Sequence, residues 1–182
     1  MTLSVVPLES ARCGDFYRVH GDAHDTGWCF CVAWWVPTWD NWGDRTTGEN
    51  RDLRNLLFDR GQYDGYLLYR DDEAVGWCQC GPRDRLTKLC QQYDLEPDTT
   101  VWAITCFVLT PPVRQQGLAH HLLREMLRDL KCQGVRHVQG FPRRGDGLDS
   151  GEVWTGPESL FQKAGFTIEG HAPRGPIYGK QL

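Results

Sequence analysis

Three features of the chain predict a mixed α/β fold. Val101 to Leu109 reads as a strand with two nearly apolar faces, Val101, Ala103, Phe107 and Leu109 on one and Trp102, Ile104, Cys106 and Val108 on the other. Such a strand belongs inside a sheet that is covered on both sides. The segment from about Gln116 to Lys131 carries Leu118, Leu122, Leu123, Met126, Leu127 and Leu130, an apolar stripe with the period of an amphipathic helix. Upstream, two strand-like runs, Gly65 to Arg70 and Ala74 to Cys80, meet across Asp71-Asp72-Glu73 as a hairpin.

The other elements follow in order. Leu3 to Leu8 reads as a first strand and Ser10 to about Val19 as a short helix. The stretch from Trp28 to Trp42 holds five of the eight tryptophans and is interrupted by Pro37, Asp40 and Asn41. It is predicted to be irregular, with part of it walling a pocket; its rings suit an apolar or cationic amine, because cations sit well on aromatic faces. Leu53, Leu56 and Leu57 set a helix over Asn50 to Arg60, which Gly61 ends. Gly81-Pro82 stops the second strand of the hairpin. After the striped helix come a strand from Val135 to Phe141, a short helix from Glu158 to Ala164 closed by Gly165, and final strands at Phe166 to Glu169 and Ile177 to Gln181. The order is β-α-α-β-β-β-α-β-α-β-β. No repeat, low-complexity tract or linker divides residues 1–182, so a single domain is predicted.

Composition narrows the functional classes. With 182 residues the chain can bury a core without disulfides or metals. A net charge of −4 argues against non-specific nucleic-acid binding. No apolar run approaches the roughly 20 residues that span a bilayer, and Met1 to Glu9 lacks the pattern of a signal peptide. The expectation is a soluble cytoplasmic protein, monomer or homodimer, with no nucleic-acid or membrane partner. The eight cysteines read as buried free thiols. Cys29/Cys31 and Cys78/Cys80 together would supply four thiolates for a zinc-stabilised interaction domain, but structural zinc sites space their ligands about two to four residues apart. Residues i and i+2 of a strand share a face, so each pair is expected to line one side of a sheet, and no metal is expected.

The chemistry lies between the central strand and the striped helix, in Thr110-Pro111-Pro112-Val113-Arg114-Gln115-Gln116-Gly117-Leu118-Ala119. A helix N-terminus leaves backbone N–H groups unpaired and favours anions. Gly117 and Ala119 leave the backbone open to a phosphate, Arg114 adds positive charge at the mouth, and two prolines fix the path of the loop. A P-loop would need Gly-Lys-Ser/Thr here, and a dinucleotide fold would need Gly-x-Gly-x-x-Gly near a first strand; neither is present.

Arg114-Gln115-Gln116-Gly117-Leu118-Ala119, preceded by Pro111, resembles the Arg/Gln-x-x-Gly-x-Gly/Ala signature of the GNAT superfamily of N-acetyltransferases. Leu160-Phe161-Gln162-Lys163-Ala164-Gly165-Phe166 is similar to that superfamily's Leu-Tyr-x-x-x-Gly-Phe pattern. The resemblance covers most of the chain, apart from Gly21 to Gly48. It implies a mostly antiparallel sheet with a splayed central strand pair and flanking helices. It implies acetyl-CoA as cosubstrate and direct transfer of the acetyl group to a small-molecule or peptide amine. The backbone of Phe107, Val108 and Leu109 would hold the pantetheine arm and the amides of Gln115 to His120 the pyrophosphate. Arg114, Phe161 and Lys163 complete the implied cofactor contacts, and the Leu109 amide would polarise the thioester carbonyl.

The resemblance departs at one position. Phe161 stands where the superfamily's tyrosine acid is expected, and it cannot donate a proton. Ser159 and Tyr178 are the candidate substitutes. Candidate bases are Asp40, Asp44, His120, His121, Asp146, Asp149 and Glu152. Arg83 and Arg85 would face an acceptor or form a solvated turn; Arg143 and Arg144 would meet a CoA phosphate or solvent. The alternative reading is an acyl-CoA-binding module of the same fold with weak or no catalysis.

Overall fold

The structure, a computed structural model, describes residues 2–23, 28–144 and 153–182. In chain order its strands are β1 (Leu3–Pro7), β2 (Gly65–Arg70), β3 (Glu73–Pro82), β4 (Val101–Leu109), β5 (His137–Gly140), β6 (Thr167–Ala172) and β7 (Gly175–Gln181). Its helices are α1 (Cys13–Ala23), α2 (Thr47–Asp59), α3 (Thr87–Tyr93), α4 (Leu118–Cys132) and α5 (Glu158–Lys163). The strands form one sheet in the order β1-β2-β3-β4-β5-β7-β6. Every neighbouring pair is antiparallel except β4 and β5, which run parallel.

The predicted order of elements is recovered with one addition. The addition is α3, seven residues long, too short to display a stripe; it forms because Leu89, Cys90 and Tyr93 bury themselves against the sheet. The α2 helix begins before Asn50, because Thr46 and Glu49 close a capping box at its start. Gly81-Pro82 does not stop β3: both residues pair with β4, and Pro82 is the terminal residue, where a missing N–H is tolerated. Among the described residues no helix is long and apolar enough to cross a membrane.

The sheet carries a core on each face. On one side Tyr66, Leu68, Cys78, Cys80 and Ile104 pack against Leu122, Leu123 and Met126 of α4. On the other, Leu67, Trp77, Cys106 and Val108 meet Phe16 and Val19 of α1 and Phe58 of α2. The strict alternation expected along β4 fails at one point. Gln79 pairs with Cys106 but its neighbour Cys80 pairs with Ile104, which leaves Thr105 as an extra residue in β4. Such a bulge shifts the face of everything beyond it. Phe107 and Leu109 therefore join the α4 side, while Ala103 shares the opposite side with Cys106 and Val108.

The bulge is also where the central strands part. β5 pairs with β4 only from Val101↔His137 to Ile104↔Gly140. Past that point the Phe161 ring occupies the space beside Gly140, so that a Cβ added there would lie 2.1 Å from the ring. Overpacking of this kind costs about 1–3 kcal/mol. Gly140→Ala is therefore expected to lower the unfolding free energy by that amount, read as a lower urea midpoint at unchanged slope, and Phe161→Leu in the same chain to recover part of the loss.

Candidate active site

Where β5 stops, β4 keeps an open edge. Thr110 N–H donates to Val75 O of β3 at 3.0 Å, while Phe107 N–H points the other way and donates to Trp154 O at 2.7 Å. Alternate residues of a strand address opposite neighbours, so Leu109 also faces away from β3. Its carbonyl accepts from Arg114 Nε at 2.9 Å, and its N–H stands on the open edge. Val108 faces β3 and is paired there with Trp77.

The turn that follows is built to leave donors free. Pro111–Val113 make a single tight turn, and Gln115 and Gly117 adopt left-handed backbone at φ 60° and 77°. The N–H groups of Gln115, Gln116, Gly117, Leu118 and Ala119 find no acceptor among the described residues. His120 N–H is already engaged, donating to Gly117 O at 3.1 Å. Nothing lies within 4 Å of where a Gly117 Cβ would sit, so the approach is open and the positive φ is what favours glycine. Unpaired backbone donors at the start of a long helix are what an anion site requires. Arg114 is not the free charge expected at the mouth: its guanidinium bridges Leu109 O and Ala23 O, the latter at 3.0 Å, and ties the end of α1 to the β4 edge.

Beside this edge opens a cavity of about 750 Å³, within the roughly 300–1,000 Å³ of ligand pockets. Phe107, Val108, Leu109, Arg114 and Ala119 form one wall. His20, Cys31 and Cys106 form a second, and Trp28, Trp39, Trp42, Trp154 and Arg174 the far end. Trp34 and Trp35 stand back from it. Trp39 already carries two of the chain's own cations, Lys88 Nζ at 3.4 Å and the Arg174 guanidinium at 4.7 Å from the ring centre. The aromatic end is thus partly neutralised from within. Burial, followed by the nearby Arg174 charge, pushes the Lys88 ammonium down to about 8.

The second wall was not anticipated from sequence. His20 Nδ1 lies 2.8 Å from Phe16 O and Nε2 lies 3.3 Å from Cys31 Sγ. Cys31 Sγ is 3.0 Å from Cys106 Sγ. Behind them Arg54, 1 % exposed, donates to Phe30 O and Cys31 O at 2.9 and 2.7 Å. Burial raises the Cys31 thiol, but the hydrogen bond with Cys106, the charge and hydrogen bond that His20 offers once it has taken the thiol proton, and the Arg54 charge outweigh it and hold the thiol well below its ordinary range. A lone histidine on a helix gives no sign in the sequence that it will meet a cysteine eleven residues on.

Other candidates lie elsewhere. Ser159 is exposed on α5. Tyr178 is buried, its hydroxyl donating to Glu158 Oε1 at 2.6 Å and accepting from Gln162. Phe161 is fully buried against Phe107, Phe166 and Tyr178, and Lys163 is exposed. None of these four lines the cavity. Asp40 and Asp44 line a separate depression of about 310 Å³. His120 and His121 are on α4 outside the cavity wall, and Asp146, Asp149 and Glu152 fall outside the described residues. Arg83 is structural, binding Gln139 and Glu96 O, and Arg85 pairs with Asp64. Arg144 pairs with Glu158, and Arg143 forms a backbone bridge with Pro157. Cys78 and Cys80 share the α4-side core whereas Cys31 belongs to the opposite one; among the described residues no group of His, Cys, Asp and Glu is placed to hold a metal.

A sequence model of the Acetyltransferase (GNAT) family matches residues 28–142. The fold is similar to that of the PaiA N-acetyltransferase from Thermoplasma acidophilum in complex with coenzyme A, at TM-score 0.58 and 13% identity over 100% of both chains. It is similar to the ribosomal-protein-S18-alanine N-acetyltransferase from Escherichia coli, at TM-score 0.57 and 12% identity over 100% of this chain and 94% of that one. It is similar as well to the loading GNATL domain of CurA from Lyngbya majuscula, at TM-score 0.60 and 15% identity over 100% and 98%. Comparison by sequence with curated proteins finds no match. At such identities the structural likeness concerns the fold.

The Lys88 environment yields a pH test. Its folded value of about 8 lies below the ordinary 10.5, so between those limits the unfolded chain holds a proton that the folded chain has released. Stability then rises with pH across that window. The stability difference between wild type and Lys88→Met is expected to move in favour of wild type from pH 8 to pH 10.5, read by thermal unfolding; a flat difference contradicts the assignment.

Proposed function

Because this chain belongs to the GNAT acetyltransferase family, whose cosubstrate is acetyl-CoA, we propose that residues 1–182 act as one N-acetyltransferase domain that moves an acetyl group directly to an amine. The observation that carries this reading is the pairing of two sets of free backbone donors, Leu109 N–H on the open edge of β4 and the amides of Gln115 to Ala119 at the start of α4, with Leu109 and Ala119 lining the same cavity.

The residues present fit the cosubstrate. The five amides and the open approach at Gly117 suit a pyrophosphate. The unpaired edge beyond Ile104 suits an extended amide-bearing arm laid down as an added strand. When bound, acetyl-CoA supplies an activated acyl carbon with a thiolate leaving group. Leu109 N–H is fixed by β3 on one side and by the Arg114 bridge to its own carbonyl on the other, so it meets developing negative charge without reorganising. The far wall of Trp28, Trp39, Trp42 and Trp154 excludes water and orients the amine beside that donor.

A second reading, an acyl-CoA-binding module with weak or no catalysis, is favoured by one observation. The expected acid position is Phe161, and the Tyr178 hydroxyl is held by Glu158 away from the cavity. Release of free thiol from acetyl-CoA across a panel of small and peptide amines separates the two. The enzyme reading expects amine-dependent release, and the module expects tight CoA binding without it. Either reading predicts that Ala119→Glu, which sets a carboxylate among the free donors, weakens CoA binding about 10–100-fold by calorimetry, or about 1.4–2.8 kcal/mol, while leaving the thermal midpoint nearly unchanged. Undiminished affinity would remove α4's N-terminus from the site.

A further inference from the structure

The wall formed by His20, Cys31 and Cys106 takes no part in the proposed acetyl transfer. We propose that Cys31 and Cys106 form an oxidisable dithiol site that takes a hydroperoxide, with His20 as the base, and closes to a disulfide across the cavity wall.

Geometry carries this assignment. His20 Nδ1 faces the Phe16 carbonyl, which only accepts, so the ring proton sits on Nδ1 and the Nε2 lone pair points at Cys31 Sγ, 3.3 Å away. A thiol beside a base that a third group orients is the arrangement of an activated nucleophile. The second thiol, Cys106, is already 3.0 Å from the first. The two belong to parts of the chain 75 residues apart, so their meeting is a product of the fold and not of local sequence. Both line the cavity, which a small oxidant enters.

The surroundings hold Cys31 in place. Phe30 and Cys31 both have left-handed backbone, φ 43° and 52°, a conformation non-glycine residues keep only where the structure enforces it. Arg54 enforces it by binding both carbonyls. This guanidinium is buried and feels the Asp64 carboxylate only at a distance, with no carboxylate in ion-pair contact among the described residues, and a buried cation of that kind favours a negative sulfur nearby. Cys29 also lines the cavity, but burial and the neighbouring Cys31 push its thiol up to about 12, which leaves it protonated.

The chemistry balances. His20 Nε2 takes the Cys31 proton. The thiolate attacks one peroxide oxygen, the O–O bond breaks, and the departing oxygen takes the proton from His20 and leaves as water, or as an alcohol from an organic hydroperoxide. Cys31 is now a sulfenic acid. Cys106 sulfur attacks it, the S–O bond breaks, and the hydroxyl leaves with the Cys106 proton as water. Two thiols are oxidised to one disulfide and one peroxide is reduced. The new bond ties the Cys31 turn to β4 one residue before Phe107, at the open edge.

The test is a titration of the fully reduced protein with hydrogen peroxide, followed by thiol alkylation, intact mass and peptide mapping. The expected first product lacks two hydrogens, has two of its eight thiols blocked to alkylation, joins Cys31 to Cys106, and reverts with dithiothreitol. Cys106→Ala is expected to stop at a Cys31 sulfenic acid that dimedone traps, and His20→Asn to slow oxidation about tenfold or more. The proposal fails if the first disulfide joins Cys29 to Cys31, if exposed Cys132 is oxidised first, or if Cys31 and Cys106 remain alkylatable once the other thiols have reacted. Mapping of the wild-type product decides this whether or not the variants fold, and it does not depend on any acetyl transfer.

Discussion

The parting of β4 from β5 at Thr105 is the constraint on which the rest of the molecule depends. A buried strand must find partners for its backbone N–H and C=O groups, and β4 loses its partner on one side after Ile104. The chain meets this loss in three ways. Trp154 O takes the Phe107 N–H, the Arg114 side chain takes the Leu109 carbonyl, and the Leu109 N–H is left on the edge. The Phe161 ring fills the wedge beside Gly140 and keeps the two strands apart. That Leu109 and Ala119 line one cavity is a consequence of this geometry, since a single short turn separates the end of β4 from the start of α4.

The cavity has three chemically distinct walls. The β4–α4 wall presents backbone donors and suits phosphate and amide. The far end presents indole rings, one of them already bearing Lys88 and Arg174, so its surface is aromatic and positively charged together. The third wall is sulfur and imidazole backed by Arg54. Arg54 links that wall to the fold: it lies within 5.2–5.5 Å of the rings of Phe16, Trp35 and Phe58 and bonds Gln79 of β3. A buried cation whose partners are carbonyls, rings and a low-lying thiol makes the Trp-rich segment part of the core and of the cavity at once.

Much of the fold was legible because it rests on local periodicity. The leucine stripe of α4, the apolar run of β4 and the hairpin of β2 and β3 each announce themselves within a dozen residues, and the turn from Arg114 to Ala119 carries its own family signature. The bulge was not legible, because Thr105 looks like any strand residue and only the pairing of β3 shows it to be extra. Strict alternation groups Ala103 with Phe107 and Leu109, and Ile104 with Cys106 and Val108, and the bulge exchanges these partners. The α3 helix was hidden by its shortness. The charge of Arg114 suggests phosphate in the sequence, whereas in the fold its guanidinium is held by the carbonyls of Leu109 and Ala23. The Cys31–His20–Cys106 cluster was beyond sequence reasoning, because it joins α1, an irregular turn and β4 through contacts that no spacing encodes.

The open β4 edge and the start of α4 are proposed to receive acetyl-CoA together. Amide hydrogen exchange by NMR, with and without CoA, tests the proposal residue by residue. CoA is expected to slow exchange of Leu109 and of Gln115 to Ala119 in concert, since those N–H groups have no acceptor among the described residues. CoA binding that leaves these amides unprotected, or protects only amides elsewhere, would contradict it.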